Sequence, residues 1–411
     1  MKGEHAFASI DVGTTKICTI VAEAGEDTDV QIIGVGIAPA QGLRKGIVVN
    51  IDETVESIRT SVEKAERSSG FKIVAAHVGI AGNHIGSLNN RGVVAIAHHD
   101  RLISEEDVHR VLEAARTVSI PSNREVIHVI PRSYTLDGQE GVKNPVGMHG
   151  FRLDVETHIV TGATTSIQNL TKCIQQVGIE INDLVLEPLA SSEAVLTDEE
   201  REMGVILADI GGGTTDMAVF IDGAIWHTGV LPVGGYQLTN DIAIGLRTPF
   251  ATAEDIKTRY GYALSSAIDP EETFEATTFG SEERRSISRR HLCEIVEARA
   301  TEILEMILME IKRSGYDGML PAGLVLTGGT ANLKGIDALA RNVLQLPARV
   351  GYPRGIHGLV ETVYNPAYAT SVGLLLWAMK YGGIERRPHK HHSLAELFKQ
   401  LTFWVRELLP Q

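Results

Sequence analysis

The chain has 411 residues, of which 43% are hydrophobic and 22% charged, and its formal net charge is −14. That length predicts at least two core-bearing units, the apolar content excludes a disordered or fibrous chain, and the acidic balance excludes sequence-independent nucleic-acid binding, which needs a basic surface. Three scattered cysteines, Cys18, Cys173 and Cys293, exclude a disulfide framework or a paired zinc site and fit a reducing cytosol. The run Met1-Lys2-Gly3-Glu4-His5 leads straight into a strand-like segment, so a cleavable signal is not expected. With no stretch of about 18 apolar residues, a cytoplasmic protein, peripheral to a membrane, is expected.

In chain order, 6–10 and 16–23 read as strands flanking a tight turn, followed by a strand at 30–37, a helix at 52–68 and a strand at 73–80. The stretch 82–162 reads as an inserted subdomain: a strand at 92–97, a helix capped by Ser104 with Glu106 and Asp107 in its first turn, a strand at 125–130 and a loop at 140–150. A strand at 155–161, a helix at 166–177 and a short apolar strand at 184–189 return the chain to the first unit. The opening pattern then recurs: a strand at 205–209, a triple-glycine turn, a strand at 217–221, an Asp222-Gly223 turn and a strand at 224–228. Helices at 252–264 and 288–314 flank a polar, partly mobile connection at 269–285, and a strand at 324–326 enters a Gly-Gly turn before a helix at 332–344. A polar linker at 385–392 precedes an amphipathic helix over 393–409, one face of which carries Leu394, Leu397, Phe398, Leu401, Trp404, Val405, Leu408 and Leu409.

In Asp11-Val12-Gly13-Thr14-Thr15-Lys16 the glycine lets backbone amides approach an anionic oxygen, the threonines add donors and the lysine adds charge. Asp209-Ile210-Gly211-Gly212-Gly213-Thr214-Thr215-Asp216 builds the same cradle, and the aspartate at each strand end can accept from waters around Mg²⁺. One glycine-rich hairpin is more often only a turn. A duplicated pair, each between strands, points to a nucleotide, ATP by preference, clamped between two related halves. Leu326-Thr327-Gly328-Gly329-Thr330-Ala331-Asn332, between a strand and a helix, either offers bare backbone to a nucleoside or serves strand-to-helix packing alone. None of these is a GxxxxGK[ST] loop or a GxGxxG fingerprint.

This ordered set resembles the actin, heat-shock chaperone and sugar-kinase superfamily. The segment Glu140-Gly141-Val142-Lys143-Asn144-Pro145-Val146-Gly147-Met148-His149-Gly150, the stretch Leu189-Ala190-Ser191-Ser192, the two later glycine loops and the tail narrow the resemblance to the FtsA family of bacterial cell-division proteins, over 6–409. It implies an α/β, actin-like (ribonuclease H-like, duplicated) fold with a relocated inserted subdomain and a C-terminal amphipathic helix. The implied division is 1–81, 163–195 and 366–383 for the first half, 82–162 for the insertion, 196–240 and 316–365 for the second half with its subdomain 241–315, a linker 384–392 and a membrane-targeting helix 393–411. The family resemblance further implies binding of ATP and Mg²⁺, self-assembly into filaments, and tethering of the tubulin-like FtsZ filament to cytoplasmic membrane lipids at the septum, with later recruitment of other division proteins.

Carried onto this chain, Gly13, Thr14, Thr15 and Lys16 would contact phosphates from one side and Gly211, Gly212, Gly213 and Thr214 from the other. Asp11 and Asp209 would hold Mg²⁺ through water, and Gly328, Gly329 and Asn332 would lie at the nucleoside. Glu254 and Lys257, at i, i+3 on a helix, either reach the ribose or adenine or form an exposed salt bridge. Glu187, before Pro188, either positions the attacking water of a slow ATPase or is a strand-end carboxylate with no catalytic role.

The tail helix either packs on its own protein or, following a linker with Arg386, Arg387 and Lys390, inserts into the interfacial layer of a bilayer. Arg284, Arg285, Arg289, Arg290 and Arg299 form the densest basic cluster. They are a solvated face or, by the resemblance, receive the partly acidic C-terminal peptide of FtsZ. The rival readings are a pilus-assembly adaptor of the same superfamily and a sugar kinase, which would need a catalytic carboxylate and a sugar pocket that the sequence does not offer.

Overall fold

The computed structural model describes residues 6–24, 30–97, 99–279 and 284–381. The expected linker 384–392, with Arg386, Arg387 and Lys390, and the expected tail helix 393–411, with Leu394, Leu397, Phe398, Leu401, Trp404, Val405 and Leu408, lie outside the described residues.

Two sheets of one topology organise the chain. In the first, the antiparallel strands Val30–Pro39, Lys16–Ala24 and Ala6–Val12 are followed by Ala75–Ile80 and Glu180–Leu186, both parallel to the first strand's direction, and Ile356–Gly358 adds an edge. In the second, Ala224–Leu231, Thr215–Ile221 and Val205–Ile210 are antiparallel neighbours, and Gly323–Thr327 and Ala348–Val350 continue in parallel. Both sheets therefore run third, second, first, fourth, fifth in order of appearance. The duplication expected from the paired hairpins extends to the whole sheet. Strands 205–210 and 215–221 are buried along their full length, as continuous apolar runs between two helical layers should be.

Helices fill three layers around these sheets. Ile51–Ser69 and Thr164–Val177 pack on the outer face of the first sheet around Ile10, Ile58 and Ile174. Glu187–Val195 and Ala369–Tyr381 lie between the sheets, and the approach is close enough that a Cβ on Gly373 would stand 1.8 Å from the Ala190 carbonyl oxygen. Gly235–Leu246, Arg289–Ser314 and Ile336–Leu344 cover the outer face of the second sheet. The first helix starts where Asn50 accepts from the Glu53 amide, and the insertion's helix Glu105–Arg116 starts at a capping box between Ser104 and Asp107.

The insertion is a four-stranded antiparallel sheet in the order Gly86–Ala95, Arg152–Ala163, Arg124–Leu136, Gln139–Val142, with that helix on one face. Its other face meets the edge strand Ala224–Leu231 of the second half. There Ser87 Oγ donates to the Thr228 carbonyl at 3.0 Å, and the Arg132 guanidinium lies 3.9 Å from the Trp226 ring centroid.

Four expectations need correction. The apolar run 184–189 is not one strand: it ends at Leu186, and Glu187 opens a helix with Pro188 in its first turn, where a missing amide costs nothing. The polar connection 269–285 contains the strand Thr273–Thr277, paired with Arg284–Ser288, because alternating Phe274 and Ala276 bury against the second half's core. The helix expected at 252–264 is Phe250–Tyr260, stopped at Gly261, and the loop 329–332 is a separate 3₁₀ turn before Ile336–Leu344.

Candidate functional site

Each phosphate-type hairpin joins the two central antiparallel strands of its sheet. Asp11 pairs in register with Cys18 and Asp209 with Asp216, so both first aspartates sit at strand ends facing the interval between the halves; both are buried. The hairpin tips approach each other. A Cβ on Gly212 would lie 2.0 Å from Thr15 Oγ1, and one on Gly213 3.1 Å from Thr14 Oγ1. Thr14 Oγ1 itself accepts from the Gly46 amide at 3.1 Å.

The third glycine loop closes on the second hairpin. Gly328 has φ +84, and a Cβ there would stand 2.3 Å from Asp209 Oδ1 and 2.6 Å from the Ile210 carbonyl oxygen, so only glycine fits. Two residues on, the Thr330 hydroxyl donates to the Gly211 carbonyl at 3.0 Å. Glu254 and Lys257 come to the same place: Lys257 Nζ is 2.7 Å from Glu254 Oε2 and 3.3 Å from the Gly235 carbonyl, while the Gly235 amide donates to the Gly211 carbonyl at 2.9 Å. They form an ion pair, but Lys257 is largely covered, with its side chain 15% exposed, and the pair stands beside the hairpin.

A segment that the sequence reading left without a role holds these pieces together. Ser371 Oγ donates to Asp11 Oδ2 at 2.7 Å, and Thr370 Oγ1 donates to Asp209 Oδ2 at 2.9 Å. Lys16 Nζ donates to the Ala367 carbonyl and lies 4.8 Å from the Tyr368 ring centroid. The Pro366 carbonyl accepts from the Gly328 amide at 3.1 Å and from Thr327 Oγ1 at 3.2 Å, and Asn365 Oδ1 accepts from Asn332 Nδ2 at 2.9 Å. The signal was a Thr-Ser pair in the first turn of a helix that is otherwise apolar, Ala-Thr-Ser-Val-Gly-Leu-Leu-Leu.

Four carboxyls converge here. Burial, more than any other cause, raises the Asp11 pKa, and burial raises Asp209 to about 6 against the Thr370 hydrogen bond. Asp216 is pushed upward by burial and by Asp209, and its Oδ1 is buried without a partner among the described residues. Glu187 rises well above the usual carboxylate range through burial and through Asp11, Asp216 and Asp209. Its side chain lies against the end of the strand Ala75–Ile80, with Oε1 3.7 Å from where a Cβ on Gly79 would be. Lys16 is the cation that opposes this accumulation. Crowded carboxyls, an orphaned carboxylate oxygen and bare glycine turns suit a hydrated divalent cation and phosphates. Among the described residues no cluster of three or more His, Cys, Asp or Glu forms a metal cage.

A wide cleft lies elsewhere. It measures 1750 Å³, lies between the insertion and the opposite end of the first sheet, and is lined by Phe7, His128 and Trp377 but by none of the glycine loops.

The expected arginine cluster is divided by the fold. Arg289 pairs with Glu272 at 2.6 Å, Arg290 caps the Ile268 carbonyl at 2.8 Å, and Arg299 pairs with Asp241 at 2.5 Å. Arg284 and Arg285 remain exposed on the short hairpin.

Comparison with known proteins decides the family. The chain is 46% identical over 374 residues to the cell division protein FtsA of Pseudomonas aeruginosa, covering 91% of this chain and 89% of the relative. The chain belongs to the FtsA family. The FtsA of Escherichia coli is 36% identical over 408 residues, covering 97% of each chain. A family profile described as cell division protein FtsA matches residues 206–373, and one described as the SHS2 domain inserted in FtsA matches 82–161. Solved structures share the fold at low identity: a PilM–PilN type IV pilus biogenesis complex (TM-score 0.65, 14% identity, 92% of this chain and 99% of that one) and MreB5 of Spiroplasma citri bound to ADP (TM-score 0.57, 13% identity, 93% and 99%). The fold is thus actin-like, and FtsA membership, not fold, separates this chain from the pilus protein. No helix among the described residues is long and apolar enough to cross a membrane.

Proposed function

We propose that this FtsA-family chain binds ATP with Mg²⁺ between its two halves, assembles with copies of itself on the cytoplasmic face of the membrane, and anchors FtsZ filaments there at the division septum for later division proteins to join. The reading rests on one observation above all: two glycine hairpins face each other, each with a buried aspartate that keeps one oxygen toward a glycine turn. Phosphates would accept from the amides of Gly13, Thr14 and Thr15 and from those of Gly211, Gly212, Gly213 and Thr214, with Lys16 adding charge. Asp11 and Asp209 would hold the waters around Mg²⁺, which when bound offsets phosphate charge. Gly328, Gly329 and Asn332, with the Glu254–Lys257 pair, would border the nucleoside. Glu187, kept protonation-prone by its neighbours, would orient a water and take up its proton in a slow hydrolysis that times assembly.

Support for the nucleotide comes also from the MreB5 structures of the same fold bound to ADP and to AMPPNP, and for self-assembly from the MamK double helical filament (TM-score 0.51, 14% identity). The membrane part of the proposal rests on 393–411 and its apolar face, and the FtsZ-peptide part on the exposed Arg284 and Arg285 with Arg289, Arg290 and Arg299 behind them. The domain division set out from the sequence, 1–81 through 393–411, belongs to the same reading.

Calorimetric titration of the full chain with ATP, with and without Mg²⁺, tests the core of it, followed by co-sedimentation with anionic vesicles and FtsZ. Saturable binding that strengthens with Mg²⁺ is expected. A chain that binds no ATP in either condition would end the nucleotide reading, and one that sediments with neither vesicles nor FtsZ would end the anchor reading.

A further inference from the structure

The two aspartates proposed to face Mg²⁺ belong to different halves, yet both are held by consecutive residues of one helix turn. Ser371 Oγ reaches Asp11 Oδ2 at 2.7 Å and Thr370 Oγ1 reaches Asp209 Oδ2 at 2.9 Å, all within the buried interior. Each hydroxyl takes one carboxylate oxygen. The other oxygen of each lies by a glycine: Asp11 Oδ1 is 3.9 Å from a Cβ built on Gly13, and Asp209 Oδ1 is 2.3 Å from one built on Gly328, with Ser191 a further hydrogen-bond partner of the Asp209 carboxylate.

The turn has little freedom to move. Ser9 Oγ donates to the Ser371 carbonyl at 2.9 Å, the Pro366 carbonyl receives the Gly328 amide, and the helix that follows is seated against Ala190 at Gly373. A carboxylate on a strand end can rotate about its side-chain torsions unless a partner holds it, and a short hydrogen bond to a charged oxygen is among the stronger ones available. Consecutive residues in a helix point about 100° apart. One turn can therefore serve two carboxylates that approach it from different sheets.

We propose that Thr370 and Ser371 are positioning residues that set which oxygen of Asp209 and Asp11 is offered to the hydrated cation, so that one helix turn aligns the metal-facing groups of both halves. This rests on the Mg²⁺–ATP reading above. The turn acts on the cation through the carboxylates and touches neither phosphate nor nucleoside.

The test is ATP binding by the full-length chain, titrated against Mg²⁺, for wild type, Ser371→Ala, Thr370→Val and the hydroxyl-preserving Ser371→Thr and Thr370→Ser. Removal of either hydroxyl is expected to raise the Mg²⁺ concentration for half-maximal ATP binding about tenfold, the scale of one charge-assisted hydrogen bond. Affinity measured without Mg²⁺ should change less than about twofold, and the hydroxyl-preserving variants should restore the Mg²⁺ dependence. Thermal unfolding of each variant without nucleotide separates loss of fold from loss of alignment. Equal Mg²⁺ dependence in all five folded proteins would overturn the proposal while leaving the nucleotide reading intact. A parallel loss of affinity with and without Mg²⁺, unrescued by Thr or Ser, would also overturn it, as general damage to the cleft. Wild type that binds no ATP would overturn both.

Discussion

His158 Nε2, on the central strand of the insertion, lies 2.9 Å from the Thr228 hydroxyl of the second half, and its Nδ1 lies 2.8 Å from Asn89 Oδ1. A neutral ring with its proton on Nδ1 donates to Asn89 and accepts from Thr228, so the two domains share an uncharged contact.

Acid should loosen this contact. Burial pushes His158 down to about 3, with positive neighbours adding to it, and burial pushes His128 down to about 4, where Nε2 accepts from the Leu186 amide. Both rings stay neutral in the fold but take up a proton near 6.5 once unfolded. Their contribution is therefore complete above about pH 6.5 and is lost as pH falls toward those lower values, at about 1.4 kcal/mol per pH unit for each ring. Denaturant unfolding between neutral pH and about pH 5 measures the slope. His158→Gln should flatten it by one proton, and an undiminished slope would contradict the assignment.

Gly328→Ala is expected to cost about 1–3 kcal/mol, from the positive φ and from the clash with Asp209 Oδ1 and the Ile210 carbonyl. ATP affinity should drop with it. Gly70, also at positive φ but open around its Cβ position, supplies the control: Gly70→Ala should cost only the backbone strain and leave binding unchanged.

Glu187→Gln keeps the shape of the side chain and removes its capacity to take a proton. Single-turnover hydrolysis is expected to slow roughly 100-fold with ATP affinity preserved. An unchanged single-turnover rate removes Glu187 from the mechanism.

Deleting 393–411 should abolish co-sedimentation with anionic vesicles and spare ATP binding, since none of the glycine loops lies in that segment. Continued sedimentation of the shortened chain would mean that the membrane contact is made elsewhere.

For the FtsZ peptide, Arg284→Glu with Arg285→Glu is the cleaner charge reversal, because both side chains are exposed and neither has an ion pair among the described residues. Weaker peptide binding that no longer falls with added salt, at unchanged melting temperature, is expected. Reversing Arg289 or Arg299 breaks the ion pairs with Glu272 and Asp241 and should lower the melting temperature as well. Peptide affinity indifferent to the Arg284 and Arg285 reversals would remove this surface from the proposal.

The glycine hairpins were readable because each motif is local: a strand end, a turn and a strand start within eight residues, repeated. The family was readable for the same reason, from ordered motifs along the chain. Local reading failed where meaning depends on distant partners. Glu187 looked like the end of an apolar strand because Leu184, Val185 and Leu186 precede it, whereas the helix begins at Glu187 since Leu189, Ala190 and Ser192 have the second sheet to pack against. Likewise Thr370 and Ser371 carry no motif of their own, and their importance lies wholly in the two aspartates that fold toward them. The arginine cluster was a true sequence cluster that the fold then divided, because three of its members found carbonyl or carboxylate partners close by.

Ser371 is joined to Asp11 across 360 residues of chain, and to Ser9 across 362. A ribosome adding about 5–20 residues per second leaves the first hairpin without its closing turn for roughly 20 to 70 seconds. During that interval the opening strands can pair with one another, since their partners are near in sequence, but Asp11 has no hydroxyl to meet and Lys16 has no carbonyl. The pocket between the hairpins is thus completed only after some 360 further residues have been made, and the proposed nucleotide has no finished cradle until the two halves have already found each other.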